Sequence, residues 1–245
     1  MKTKSLLPLL LIVLIFASTR QPVHAGGSSG ATNSVSATVR GTVKFEGGIP
    51  KGKAISMAAD PSCAQQHATP VSNQEIVADT KGELQNVVVF VSDGLSGTFD
   101  PPSQPAVIDQ KGCMYQPHVL AVRAGQQLEV ENHDPVTHNI HPMPANNREW
   151  NKAELPGSKV DETFPREEIA IPVKCNVHPW MRGYVAVFKH PYFVVTGKDG
   201  SFDLSNLPPG TYTISAWHEK LGTQTAKITV GANETKSVDF VFKSM

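Results

Sequence analysis

The residues best suited to chemistry lie in one short segment, where Cys175, His178 and Met181 follow one another at Cys-x-x-His-x-x-Met spacing. The segment places a thiolate, an imidazole and a thioether on one loop between two predicted strands, 169–173 and 183–188. Soft sulfur donors favour Cu(I) and imidazole serves both copper oxidation states. Two histidines, one cysteine and a weak axial methionine therefore select copper and support one-electron transfer. The segment lacks only the second histidine.

A neighbouring loop at the same end of a β-sandwich can supply that histidine, and the segment 132–141, which follows a predicted strand pair over 118–132, contains His133, His138 and His141. His133 stands at a strand end before an Asp-Pro turn and is interpreted as a solvated loop residue. His141 lies three residues after His138, and in an extended segment it would point away from the site that its neighbour serves. His118 opens a strand and is expected to be a partly buried polar residue.

The axial position has two candidates. Met181 has the favourable spacing, although a lone methionine more often packs in a core than binds a metal. Met143, within a Pro-Met-Pro stretch, is its weaker rival.

The chain has three cysteines, so they cannot all pair with one another. Cys63 and Cys113 lie in turn-like surroundings without ligand residues nearby, whereas Cys175 lies among His and Met. We expect a Cys63–Cys113 disulfide and a free Cys175, because exposed thiols oxidise outside the cell. The alternative is that Cys63 and Cys113 are buried thiols.

The N-terminus indicates export. Lys2 and Lys4 precede an apolar run over 6–17, and a small-residue site ends at Ala25, which predicts a signal peptide over 1–25. Cleavage near Ala17 is the second choice. The apolar run is shorter than the roughly 20 residues that span a bilayer, and no other segment is long enough, so no membrane span is expected after cleavage. A periplasmic or secreted location follows.

Charge excludes two classes of partner. Cleavage removes three basic residues from the balance of 22 basic and 22 acidic, which leaves a mildly negative mature chain. Without a basic stripe, neither nucleic acid nor an anionic membrane surface is expected as a partner.

The remaining sequence predicts an all-β protein. Residues 26–36 are Gly, Ser, Thr and Asn-rich and indicate a flexible leader. From residue 37 onward, short runs of β-forming residues alternate with Gly, Pro, Asn and Asp turns, and no segment has a sustained helical apolar period. Many short strands at such spacing are typical of β-sandwiches.

The C-terminal pattern Asp-Gly-Ser-Phe-Asp-Leu (199–204), Leu-Pro-Pro-Gly-Thr-Tyr-Thr (207–213) and Ala-Trp-His-Glu (216–219) resembles the carboxypeptidase regulatory-like family of transthyretin-like sandwiches. That family usually has two earlier strands, which here match Gly41-Thr42-Val43 and 86–91. The resemblance implies a discontinuous regulatory-like sandwich over 37–103 and 191–245, with another domain over 104–190 inserted between its parts. Three consecutive pieces are the simpler alternative.

The inserted block resembles the cupredoxins. Its Cys-x-x-His-Pro-x-Met-Arg-Gly pattern from Cys175 and its His138-Asn139-Ile140-His141 stretch are similar to those of amicyanin. The resemblance implies a Greek-key β-sandwich with His138, Cys175, His178 and Met181 as ligands of a type 1, or blue, copper ion. It also implies that Asn139 ties the two ligand loops together.

These patterns predict an exported one-electron carrier that docks transiently with redox partner proteins, and not an enzyme. The resemblance further implies that His178 offers its ring edge to those partners within an apolar patch. One alternative is a structural module whose regulatory-like sandwich binds a glycan or protein, with an accessory copper site. Another is copper delivery, although the chain has no Met-rich or His-rich tract.

Overall fold

The computed structural model describes residues 35–244. The predicted signal peptide, 1–25, and most of the predicted leader, 26–36, lie outside the described residues. Within 35–244, no helix has the length and apolarity needed to cross a membrane.

The described chain forms 17 β-strands and one short helix, α1 (Pro61–Ala64). The first strands are β1 (Ala37–Glu46), β2 (Val88–Asp93), β3 (Ala106–Gln110), β4 (Tyr115–Gln116), β5 (Val119–Arg123) and β6 (Gln127–Asn132). The middle strands are β7 (His138–Pro142), β8 (Lys152–Glu154), β9 (Lys159–Thr163), β10 (Glu168–Lys174), β11 (Arg182–Phe188) and β12 (Phe193–Val195). The last are β13 (Ser201–Leu207), β14 (Gly210–His218), β15 (Gly222–Val230), β16 (Thr235–Ser237) and β17 (Phe240–Lys243). The prediction of an all-β protein is confirmed.

The first sandwich combines strands from both ends of the described chain. One sheet has the order β13-β1-β16, with β17 also paired to β1, and the other has the order β12-β2-β14-β15. Apolar side chains from both sheets share one core, including Val39, Phe45, Val89, Ile214 and Phe242. Among the named strands, β1 and β2 pair only with strands from β12 onward.

The second sandwich is built from the strands between them. Its sheets have the orders β5-β11-β10-β7-β8 and β4-β3-β6-β9, around a core that includes Ile108, Leu128, Val130, Phe164 and Val185. The named strands β3 to β11 pair only with one another. This pairing is the one expected if the second sandwich is inserted between the two parts of the first. The predicted limits of the inserted domain, residues 104 and 190, stay a prediction.

The two sandwiches pack together through strands that are apolar on both faces. Successive side chains of a strand point to opposite faces. In β2, Val89 therefore lies in the first core, while Val88 and Phe90 lie in a third apolar cluster with Ala186 and Phe188 of β11. The unbroken apolar run of β2 follows from this burial on both sides.

Residues 55–71, which we call the cap, lie between β1 and β2 in sequence but pack against the second sandwich. Met57 and Cys63 are buried in the core of the second sandwich. Within the cap, Ile55 N–H donates to Val71 O at 2.8 Å. A disulfide joins Cys63 to Cys113, with 5.5 Å between their Cα atoms. The cap was predicted within the first sandwich, over 37–103, and the structure places it against the other one, because its apolar side chains and its disulfide partner are there.

Candidate metal centre

Three neighbouring strands bring the candidate ligands to one edge of the second sandwich. β10 is antiparallel to both β11 and β7, and Lys174 at its end is paired with Arg182 and His141. The loop 175–181 therefore runs back alongside the start of β7, where His138 lies. His138 was expected on a loop but is the first residue of β7, which pairs with β8.

The loop has a fixed shape. Its ends are joined by a hydrogen bond from Cys175 N–H to Met181 O at 3.2 Å, and Met181 N–H donates to His178 O at 2.9 Å. These bonds turn the Cys175 and His178 side chains toward the same point.

The donor atoms of His138, Cys175 and His178 lie within 4.8 Å of one another. The two Nδ1 atoms are 2.9 Å apart, and His178 Nδ1 is 3.9 Å from Cys175 Sγ. The exposed fractions are 0% for His138, 3% for Cys175 and 2% for His178. Two imidazoles and one thiol thus converge in a water-excluded pocket, and this donor set fits copper.

Met181 is fully buried in the core that also holds Cys175. Met143 lies outside that core, and its N–H donates to Pro172 O on β10 at 2.9 Å. Of the two axial candidates, Met181 is the one that shares a buried core with Cys175.

Asp134 holds the outer nitrogen of His138. Its Oδ2 lies 2.7 Å from His138 Nε2, with both side chains fully buried. Its Oδ1 accepts from Gly112 N–H at 2.6 Å, and its Oδ2 also accepts from Cys113 N–H at 2.7 Å. Burial alone would lower the pKa of His138, but the hydrogen bonds to Asp134 and Cys175 outweigh it and raise that pKa to about 9. The carboxylate keeps a proton on Nε2, which leaves Nδ1 as the atom that faces the site.

Asp60 of the cap holds the outer nitrogen of His178 in the same way. Its Oδ2 is 3.1 Å from His178 Nε2, and Cys63 Sγ of the disulfide lies 3.7 Å from that nitrogen. The expectation that His178 offers its ring edge to partners is wrong, because the cap and its disulfide cover that edge. Trp180 packs against the ring at a centroid distance of 5.0 Å and is itself half-buried.

Asn139 links the two ligand segments. Its Oδ1 accepts from Asn176 N–H at 2.5 Å and lies 3.3 Å from Cys175 Sγ, while its Nδ2 donates to Asn151 Oδ1. His178 N–H donates to Cys175 Sγ at 3.3 Å. Burial would raise the pKa of the Cys175 thiol, but the hydrogen bonds of His138, Asn139 and the loop backbone lower it, which favours the thiolate that a metal requires.

The other histidines considered from the sequence lie outside this group. His133 is exposed and pairs with Asp109, and His141 contacts Glu149 through Nε2 at 2.6 Å. His118 is buried and pairs with Glu219. Their interpretation from the sequence therefore agrees with their positions.

The two aspartates, Asp134 and Asp60, were not predicted from the sequence. Asp134 could have been suspected from its position four residues before His138, since a carboxylate often supports a histidine ligand. Asp60 is 118 residues from His178 and gave no local signal. Two further groups, Asp60 with Cys63 and His178, and Cys113 with Asp134 and His138, also gather ligand-type atoms. Their sulfurs are in the disulfide, so neither offers a thiolate.

Comparison with known proteins identifies one part of the chain by sequence. Residues 184–243 match the carboxypeptidase regulatory-like domain, which confirms the resemblance for the C-terminal part. The match begins inside β11, a strand of the second sandwich, and does not reach residues 37–103. No curated protein gives a significant match.

Among solved structures, the chain is similar to cupredoxins. A purple cupredoxin from Nitrosopumilus maritimus matches with 26% identity and a TM-score of 0.30, over 34% of this chain and 98% of that one. A Cu(I) amicyanin variant matches with 20% identity and a TM-score of 0.32, over 40% and 97%. The Cu-containing nitrite reductase of Thermus scotoductus matches with 16% identity and a TM-score of 0.34, over 61% of this chain but only 28% of that one. At these TM-scores the likeness supports no transfer of residue roles.

Proposed function

We propose that this chain is an exported type 1 copper protein that accepts and donates single electrons. One observation carries the proposal: the Nδ1 atoms of two buried histidines and the sulfur of the free Cys175 meet within 4.8 Å. Met181 on the same loop would be the axial donor. A copper ion supplies one-electron chemistry when bound to such a set.

The chain's own residues would do three things for that ion. The Nδ1 atoms of His138 and His178 and the Cys175 thiolate would bind it, Asn139 would hold the ligand segments at a fixed spacing, and the surrounding core would exclude water. A rigid site of this kind suits electron transfer, because little needs to move when the charge changes.

We class the protein as a carrier and not as an enzyme. A catalytic metal site keeps an open coordination position for substrate or water. Here the three converging ligands are nearly inaccessible and Met181 is fully buried, and this burial supports the proposal of a carrier.

Copper delivery is the weaker alternative. A delivery protein must release its metal, whereas here the cap is fastened over His178 by the Cys63–Cys113 disulfide. The second candidate is an accessory copper site in a glycan-binding or protein-binding module. The match of residues 184–243 to the regulatory-like domain is the observation that favours it. Redox partner proteins are the partners that we propose, in the periplasm or outside the cell, where a disulfide persists.

The test is the visible spectrum of the purified protein with Cu(II). We expect an intense thiolate-to-copper absorption band, and we expect Cys175→Ser to abolish it with the far-UV circular dichroism spectrum retained. His138→Ala should weaken or remove the band. The matched change His133→Ala, at an exposed histidine, should leave it intact. A weak band in the wild-type protein would exclude Cys175 as a ligand and with it the type 1 assignment.

A further inference from the structure

Both candidate histidine ligands have a carboxylate on their outer nitrogen, but the two carboxylates have different origins. Asp134 lies four residues before His138 and is fully buried. Asp60 comes from the cap, whose neighbours in sequence belong to the other sandwich, and 27% of its side chain is exposed. The second carboxylate is therefore brought to the site by a separate piece of structure.

The cap holds Asp60 in a defined orientation. Asp60 N–H donates to Met57 O at 3.0 Å, and its Oδ1 accepts from Ser62 N–H at 3.0 Å at the start of α1. The disulfide of Cys63, three residues later, ties the same turn to Cys113. Because Oδ1 accepts the hydrogen bond from Ser62 N–H, Oδ2 is the oxygen left to face His178 Nε2.

The contact determines which nitrogen of His178 is available. A carboxylate only accepts hydrogen bonds, so His178 must donate from Nε2, and its Nδ1 then carries a lone pair toward Cys175. The contact also places a negative charge against the ligand ring. Negative charge near a copper ion stabilises Cu(II) more than Cu(I), because Cu(II) carries the larger positive charge.

We propose that Asp60 is a positioning residue for the copper site: it fixes the His178 ring through Nε2–H and biases the site toward Cu(II). The inference rests on the proposed function. The cap thus contributes to the site as well as covering it, and any redox partner must approach by a route other than the His178 ring edge.

The variant that tests this is Asp60→Asn. The asparagine keeps the shape and an oxygen that accepts from Ser62 N–H, but it removes the charge. With that oxygen engaged, its amide group faces His178 as a donor and not as an acceptor. The matched control is Asp199→Asn, since Asp199 Oδ1 accepts from Ser201 N–H at 3.1 Å in the same two-residue turn, in the first sandwich.

The first measurement uses the copper-free protein. Nitrogen-15 shifts of the His178 ring should show one fixed tautomer with the proton on Nε2 in the wild type and in Asp199→Asn, and a mixed population in Asp60→Asn. The same single tautomer in Asp60→Asn would overturn the positioning role, whether or not copper binds.

The second measurement uses the copper-loaded protein. Asp60→Asn should weaken Cu(II) binding about 10–100-fold, as loss of a partner behind a metal ligand commonly does. It should also raise the reduction potential, while Asp199→Asn should change neither. An unchanged potential and affinity in Asp60→Asn, with the charge-transfer band present, would overturn this inference and leave the proposed function standing. Absence of the band in the wild type would instead remove the proposed function.

Discussion

At the scale of single residues, Met181 is the side chain whose replacement separates packing from metal tuning. Met181→Leu changes little volume, and such swaps in a core usually cost less than about 1.5 kcal/mol. We expect the substituted protein to stay coloured and its reduction potential to rise, because an apolar group stabilises Cu(II) less than a thioether does. Voltammetry of the copper-loaded variant measures this.

The comparison for that variant is Met143→Leu, at a half-buried methionine beside Pro172. It should leave the potential where it is. A shift in Met143→Leu together with none in Met181→Leu would assign the axial position to Met143.

Residue types and spacing predicted much of the site, because Cys175, His178 and Met181 are close in sequence and one tight loop must bring them together. His138 depended on Asn139 and on a family resemblance, and the structure brings it to the same point. The covering of His178 could not be predicted, since it depends on a turn more than 100 residues away and on a disulfide that places it there.

At the scale of elements, β14 ends on a histidine whose burial couples stability to pH. His218 is 1% exposed and packs against Phe242, and burial lowers its pKa to about 4. An unfolded histidine titrates near ~6.5. Between these values the unfolded chain binds a proton that the folded chain does not, so the free energy of unfolding falls as the pH falls.

We therefore expect copper-free protein to lose on the order of 2–3 kcal/mol between pH 7 and pH 4 from this residue. His218→Gln should remove that part of the loss, as measured by denaturant unfolding at several pH values. His133→Gln should not remove it, because Asp109 raises the pKa of exposed His133 and gives it the opposite dependence. An identical pH profile for His218→Gln and the wild type would contradict the assignment.

Sequence patterns predicted β2, β10 and β11 to within about two residues, because runs of β-forming residues and turn residues are local signals. His138 was expected on a loop, but its segment forms β7 because it pairs with β8 on one side and β10 on the other. The cap was grouped with its neighbours in sequence, but its apolar contacts and its disulfide to Cys113 assign it to the second sandwich.

At the scale of the whole molecule, an apolar cluster lies between the two sandwiches, and we expect it to make them unfold together. Phe188 is fully buried there, with its ring centroid 4.9 Å from that of Phe90 and 4.7 Å from that of Phe193. Phe188→Ala should lower the free energy of unfolding by about 3–5 kcal/mol, the usual cost of removing a buried phenylalanine.

The wild-type protein should melt in one calorimetric transition, and Phe188→Ala should lower its midpoint or split it in two. Val107→Ala, at a valine that is 39% exposed, should change stability by roughly 0.5 kcal/mol or less. Two separate wild-type transitions, with neither shifted by Phe188→Ala, would show that the sandwiches unfold independently.

The pairing of β1 also bears on the order in which the strands of the two sandwiches can form. β1 is among the first strands to emerge, yet its partners are β13, β16 and β17, the last of which ends at Lys243. Until those residues arrive, both edges of β1 carry unpaired backbone groups that can recruit other chains. The strands of the second sandwich are complete by Phe188, so their pairing can precede closure of the first. Closure of the first sandwich therefore depends on contacts between residues far apart in sequence, and such contacts form slowly because the entropy of closing a long loop must be overcome first.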